Sequence, residues 1–269
     1  MNEDAVEHFR ERGWMRVRAA FSKDDARAMR SAVWHVLADV GIREHDPSTW
    51  TQERPAHLQA AKADPAFAAV GSARVLDAIG MALEGQAYET PKHWGAVFAA
   101  FPSKHEWNVP SRGWHIDANY WSALAPPAGI RTHTLFGDVA PRAGGTLIVS
   151  GSHRLVYAYF TQRPAPIGGR AADFRKHLQA HSYLRDLHAD SEPDQRVGRF
   201  MARAETHDGI PLQVVEMTGA AGDVLLLHPL LLHVAAANNG RAPRFLLSGG
   251  IDLPSMWNAR PERRSAGIG

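Results

Sequence analysis

In the stretch GWHIDANYW, residues 113–121, a histidine and an aspartate stand two positions apart, His115 and Asp117. Side chains alternate faces along an extended strand, so these two project to one side and Trp114 and Ile116 to the other. An imidazole and a carboxylate side by side form a two-pronged clamp for a divalent cation. A third ligand from a neighbouring strand would complete one face of an octahedron and leave the other positions open. That is the two-histidine, one-carboxylate triad that holds non-heme iron(II). The tripeptide alone equally fits a hydrogen-bonded surface pair, so the reading depends on the third ligand.

The segment GDVLLLHPLLLHVAAANNGRAPR, residues 222–244, offers His228 and His233. Five residues apart, they would face opposite sides of a continuous strand, so one of them reaches the metal. His233 is the better candidate, because Arg244 follows it on the next strand across the turn NNGRAP. A guanidinium beside a metal site can grip a carboxylate with two parallel hydrogen bonds. Taken singly, His233 could be a core histidine and Arg244 part of a salt bridge. The joint pattern of His115, Asp117, His233 and Arg244 is harder to reach by chance.

These residues need a scaffold. The chain has 269 residues, of which 45% are hydrophobic and 22% charged, a balance that buries an ordinary core. A formal net charge of +2 gives no electrostatic footprint for nucleic acid. Cysteine is absent, which removes disulfides, thiolate nucleophiles and zinc–cysteine sites. The acidic start MNEDAVEHFRERGW carries no apolar leader, and no apolar run has the length of a membrane span. The expectation is a cytoplasmic protein acting on a small molecule, with no nucleic acid or membrane partner and an open oligomeric state.

A single domain is expected over residues 1–269, with residues 1–92 a mainly helical support. There Ser22 and Asp25 read as a capping box opening a helix that Gly41 ends, preceded by the strand-like WMRVRAAF. A second helical pattern covers DPAFAAVGSARVLDAIGMALEG, with Pro65 near its start and Gly85 at its end. Residues 93–153 and 211–253 hold short apolar runs (WGAVFAAF, IRTHTLFGDV, GTLIVS, LQVVEM, DVLLLH and PRFLLSGGI) separated by turn formers, as in an antiparallel sandwich or barrel. Residues 154–210 read as a long insertion with one helical candidate, AADFRKHLQAHSYLRDLH, and are expected to form a lid. His177, His181 and His188, four and seven apart, would share one face of that helix. Residues 254–269, with the basic ARPERR, read as a tail.

The chain resembles the phytanoyl-CoA dioxygenase family of iron(II)- and 2-oxoglutarate-dependent oxygenases. GWHIDANYW, GGTLIVSGSHR at 144–154 and the 222–244 segment carry the resemblance, supported by GWMRVRAAFSKDDARAMRSAV near the N-terminus. It implies a mainly β fold with flanking helices, built on a double-stranded β-helix (a jelly-roll or cupin-like core). It implies that His115, Asp117 and His233 bind Fe(II), that Arg244 binds the far carboxylate of 2-oxoglutarate, and that His228 is a neighbour. Thr134 falls where relatives place a residue against the cosubstrate. Ala235 stands where relatives often have a serine, and Ser150 where a proline is common; both depart from the pattern. With O2, such a site couples decarboxylation of 2-oxoglutarate to succinate and carbon dioxide with attack on a substrate C–H bond. Related halogenases carry a small residue at the Asp117 position, so a carboxylate here points away from halogenation and to hydroxylation, or to desaturation or ring chemistry from the same oxidant. Natural-product biosynthesis is the setting expected by analogy.

The substrate is less legible. Trp107, Trp114, Tyr120, Trp121 and Phe136 cluster in sequence around the site, and Arg131, His133, Arg142 and His153 could pair with a substrate anion. Two other readings use the same residues: a metal-dependent hydrolase or isomerase on a cupin-like barrel, and a non-catalytic jelly-roll binding module. Arg244 speaks against the first, since hydrolysis needs no anchor for a dicarboxylate. The intact set of four speaks against the second.

Overall fold

The computed structural model describes residues 3–117, 129–161 and 171–253. Two antiparallel sheets form the centre. The larger has the order β1–β7–β3–β9–β2, from β1 (Trp14–Val17), β2 (Ala96–Ala100), β3 (Gly129–Leu135), β7 (Val224–Leu227) and β9 (Arg244–Asp252). The smaller has the order β5–β6–β4–β8, from β4 (Thr146–Ser150), β5 (Glu205–His207), β6 (Ile210–Met217) and β8 (His233–Ala235). This is the antiparallel arrangement that the apolar runs predicted, and the jelly-roll core with flanking helices that the resemblance implied.

Three apolar clusters show how the layers stack. Between the sheets lie Leu135, Ile148, Met217, Leu225, Leu227 and Leu246. The outer face of the larger sheet, through Phe136, Phe245 and Leu247, packs on α2 (Lys23–Asp39) and α3 (Ala73–Ala82), through Met29, Val33, Leu37 and Ile79. The outer face of the smaller sheet, through Leu147, Val149, Leu212 and Val214, packs on Tyr183, Leu184 and Phe200. Alternation makes this partition. On β3 and β9, His133, Leu135, Arg244 and Leu246 turn inward, while Thr134, Phe136, Phe245 and Leu247 turn toward the helices. Burying each large apolar side chain contributes about 1.5–3 kcal/mol, so the helical layers hold the sheets that carry the site.

The capping box forms as expected: Asp25 N–H donates to Ser22 Oγ at 3.0 Å, and Ser22 N–H to Asp25 Oδ2 at 3.2 Å. Gly41, at φ +82°, ends α2 in the left-handed conformation that a Cβ disfavours. The pattern over 64–85 divides in two. A 3₁₀ segment runs Pro65–Gly71, and α3 begins anew after Ser72, whose hydroxyl accepts from Val75 N–H at 3.4 Å.

The 154–210 stretch is largely helical in its described part: α4 (Ser152–Thr161), α5 (Ala171–Ala180), α6 (Ser182–Leu187) and α7 (Pro193–Met201). The single helix expected over 171–188 breaks at His181, which has β-region backbone and caps α6. His177, His181 and His188 therefore share no face: His177 stacks on Tyr159, His181 on His207, and His188 closes α6. The stretch also ends earlier than expected, because β5 pairs with β6 across an Asp208–Gly209 turn with both residues at positive φ. Among the described residues, no helix is long and apolar enough to cross a membrane. The tail 254–269 lies outside the described residues.

Candidate metal centre

His115 does not sit on a long strand. It forms one isolated antiparallel bridge with His233, at the exposed edge of β8. The two residues exchange both backbone hydrogen bonds, each 3.0 Å, so their side chains emerge on the same side. Gly113, at φ +87°, turns the chain into this bridge; a Cβ there would meet Val234 Cγ2 at 3.2 Å. Asp117 then brings its carboxylate between the rings, 3.8 Å from His115 Nε2 and 3.5 Å from His233 Nε2. The three residues form the one cluster of potential metal ligands among the described residues, with ligand atoms within 4.8 Å of one another.

The surroundings of both imidazoles suit metal ligands. His115 Nδ1 lies 2.8 Å from Gly113 O, and His233 Nδ1 lies 3.0 Å from Leu231 O. A carbonyl only accepts, so Nδ1 carries the proton and Nε2 keeps its lone pair for the cation, the tautomer that ligating histidines need. Burial lowers the His233 pKa, which also favours the neutral ring. Arg131 braces the main chain at Asp117, donating to its carbonyl at 3.0 Å and to Asp252 Oδ1 at 2.5 Å. The site opens on one side: the His115 side chain is 54% exposed and that of His233 8%.

A cavity of about 240 Å³ adjoins the cluster, lined by His115, His233, Ala235, Arg244, His133 and Thr146, with Arg54 and Phe98 among its other walls. Arg244 is buried; its Nε donates to Gly144 O at 2.7 Å, but its Nη1 has no partner. Burial, then the neighbouring Arg54, lowers its pKa to about 10, so it remains a cation at neutral pH. A buried charge with an unmet donor is costly unless an anion completes it. No Asp or Glu lines this cavity among the described residues. His133 stands beside it, its pKa pushed well down, first by burial and then by its neighbours His233 and Arg244, with Nδ1 unpartnered. The lining therefore fits a small carboxylate spanning from the metal to Arg244.

Thr134 is placed elsewhere. It lies on the other face of β3, paired with Leu247 and turned toward the helical layer, and does not line the cavity. The β3 residue that does is His133. Ala235 lines the cavity two residues beyond His233, as their shared face of β8 requires.

Other residues singled out in the sequence have structural partners. The strand breaks between His228 and His233, with Leu231 N–H bonded to His228 O, so the two histidines do not share a continuous strand. His228 packs against Phe9 and His153. His153 contacts the Arg10 carbonyl at 3.0 Å. Arg142 stacks over Trp107 at 5.3 Å, Phe136 is core, and Ser150 accepts from Trp14 Nε1 at 3.4 Å. Trp107 and Trp114 pack toward the insertion helices. Tyr120 and Trp121 lie outside the described residues. Arg54 and Thr146 join the cavity without a motif of their own: Arg54 lies in a turn-rich loop, and Thr146 looks like any strand threonine.

A family model described as phytanoyl-CoA dioxygenase (PhyH) matches residues 9–246. No curated protein has a matching sequence. Among solved structures, the chain is similar to the non-heme alpha ketoglutarate dependent carbocyclase SnoK from nogalamycin biosynthesis, with 17% identity over 94% of this chain and 84% of that one and a TM-score of 0.51. It is similar to the epimerase SnoN in complex with Fe3+, alpha ketoglutarate and nogalamycin RO, with 17% identity over 93% and 82% and a TM-score of 0.53. It is also similar to HygX from Streptomyces hygroscopicus with nickel and 2-oxoglutarate bound, with 16% identity over 94% and 88% and a TM-score of 0.52. At these identities the likeness is one of fold.

Proposed function

The chain belongs to the phytanoyl-CoA dioxygenase family, and on that premise we propose that it is an Fe(II)- and 2-oxoglutarate-dependent oxygenase that oxidises a C–H bond of a small organic substrate. One observation carries the reading: the His115–Asp117–His233 cluster shares a cavity with a buried arginine whose Nη1 has no partner. A hydrolase would need the first feature and not the second.

His115 Nε2, His233 Nε2 and an Asp117 oxygen would hold the metal, and the two Nδ1–carbonyl bonds fix the rings for that task. Arg244 would take the far carboxylate of 2-oxoglutarate, with neutral His133 beside it and Ala235 leaving room where a longer side chain would stand. When bound, iron(II) and 2-oxoglutarate supply, with O2, an oxidant coupled to release of succinate and carbon dioxide. The chain's own contribution is orientation and a restricted, partly apolar chamber. Asp117 fills a ligand position that a halogenating site would leave to halide, so hydroxylation is the proposed outcome. One fold neighbour comes from nogalamycin biosynthesis and another was solved with nogalamycin RO bound, which supports a role in natural-product metabolism; their carbocyclase and epimerase names show that the fold hosts other outcomes too.

The test is anaerobic titration of metal-free protein with iron(II) and then 2-oxoglutarate, watching for the visible charge-transfer band of a chelated keto acid. A band that forms in the wild type and is lost in Asp117→Ala supports the proposal. Iron binding without any band refutes it.

A further inference from the structure

We infer that Arg196, on α7 of the insertion, is a positioning residue for the metal ligand His115; the inference rests on the proposed function. Arg196 is among the largest fully buried side chains of the chain, 1% exposed, yet among the described residues it forms no salt bridge. Its guanidinium is satisfied by main-chain carbonyls instead. Nε donates to Val109 O at 2.6 Å, Nη2 to Pro110 O at 3.0 Å and to Leu187 O at 2.6 Å, and Nη1 to Ala189 O. Of these acceptors, Leu187 ends α6 and Ala189 lies in the α6–α7 connection, while Val109 and Pro110 belong to the segment that leads into His115.

That seam continues along the chain. Asp190 accepts from Ser111 Oγ at 2.5 Å and lies 3.7 Å from Arg112 Nη2. Pro110 O receives a second donor, Trp114 Nε1, at 2.7 Å. Trp114 immediately precedes His115 and packs in the same cluster as Tyr183, Leu184 and Phe200 of the insertion. One carbonyl thus joins the buried guanidinium to the residue next to the ligand. Residues 109–114 form no strand and have no ladder to fix them, so their geometry depends on these bonds. On its other side, among the described residues, the His115 main chain is paired by its single bridge to His233. The insertion accordingly sets where the first metal ligand stands, from the outer face of the smaller sheet.

A lysine at 196 would keep the charge but replace a planar five-donor fork with one ammonium, which cannot reach four carbonyls lying on two segments. Arg199, on the same helix, serves as control: it pairs with Asp186 and Glu205, and no contact reaches 109–114. Mn(II) affinity, by electron paramagnetic resonance, and the charge-transfer band with iron(II) and 2-oxoglutarate should be measured for Arg196→Lys, Arg199→Gln and wild type, alongside melting temperature. Arg196→Lys should bind metal at least about tenfold more weakly and shift or weaken the band, whereas Arg199→Gln should change melting alone. Should Arg196→Lys fail to fold, Asp190→Asn loosens the same seam from the surface and should weaken metal binding in the same direction. Metal affinity and band unchanged in the seam variants, whatever their melting, overturn the inference. A wild type that binds no metal overturns the proposed function and this inference together.

Discussion

The main chains of His115 and His233 grip each other directly: each amide donates to the other's carbonyl at 3.0 Å, and the two rings lie 4.2 Å apart, centroid to centroid. The separation of the two proposed metal-binding groups is thus set by backbone pairing rather than by side-chain packing. Residues 118 positions apart in sequence meet through one rung of a ladder, and Asp117 needs only two further residues to reach them.

Because that rung is made by backbone, trimming the exposed ligand should spare the fold. His115→Ala and Asp117→Ala should abolish the charge-transfer band and turnover while shifting the stability of the metal-free protein by no more than about 0.5 kcal/mol. Denaturant midpoints of the metal-free proteins check this. Wild-type activity in either variant would remove the metal assignment.

Arg244→Met should raise the dissociation constant for 2-oxoglutarate by roughly 10- to 100-fold, the worth of a charge-assisted pair. Metal affinity should stay unchanged. Since the guanidinium is buried with an unmet donor, its loss should not destabilise the ligand-free protein as loss of a buried ion pair would. A band titrated against 2-oxoglutarate, with a denaturation curve beside it, separates the two effects. An unchanged requirement places the anchor elsewhere.

His133 and Thr134 are adjacent yet face opposite layers, so they should differ sharply. His133→Phe should weaken 2-oxoglutarate binding several-fold. Thr134→Val removes a buried hydroxyl without a partner and should leave binding unaltered and stability equal or higher. Weaker cosubstrate binding in Thr134→Val would instead return that residue to the site.

Acid should weaken the fold in a defined window. Burial lowers the pKa of His153 from 6.5 to about 4. Above pH 6.5 the residue is neutral in both folded and unfolded chains and contributes no pH dependence. As pH falls below 6.5 the unfolded chain takes up the proton first, so stability is lost down to about pH 4 and then levels off, a total of roughly 3 kcal/mol. His153→Gln, which can still donate to the Arg10 carbonyl, should flatten this part of the profile by about one proton. Denaturant midpoints from pH 4 to 7.5 test it, and identical slopes in the two proteins would count against the assignment.

Much of this architecture was legible because it repeats locally. Short apolar runs between turn formers marked β2, β3, β4, β6, β7 and β9, and Ser22 with Asp25 announced the start of α2 from four residues. The candidate pair His115 and Asp117 stood out by type and spacing, and the fold brings it to His233. Its setting was not: i, i+2 spacing suggested a strand, whereas a glycine at positive φ and one cross-strand bridge do the same work. The break at His181 was hidden because the apolar spacing runs on through it. Thr134 was misleading for a related reason, since a one-residue shift along a strand reverses the face and nothing in the tripeptide His133–Thr134–Leu135 marks which way it points. Arg196 gave no signal, because its acceptors are carbonyls that every residue possesses.

Arg244's solitary donor has a metabolic corollary. The carboxylate it would grip is common to 2-oxoglutarate and succinate, so the anchor cannot tell fuel from ash. Discrimination falls to the metal end, where only the keto acid can chelate. On the proposed assignment, accumulated succinate competes for the same cleft, and the enzyme reads the ratio of the two acids around it.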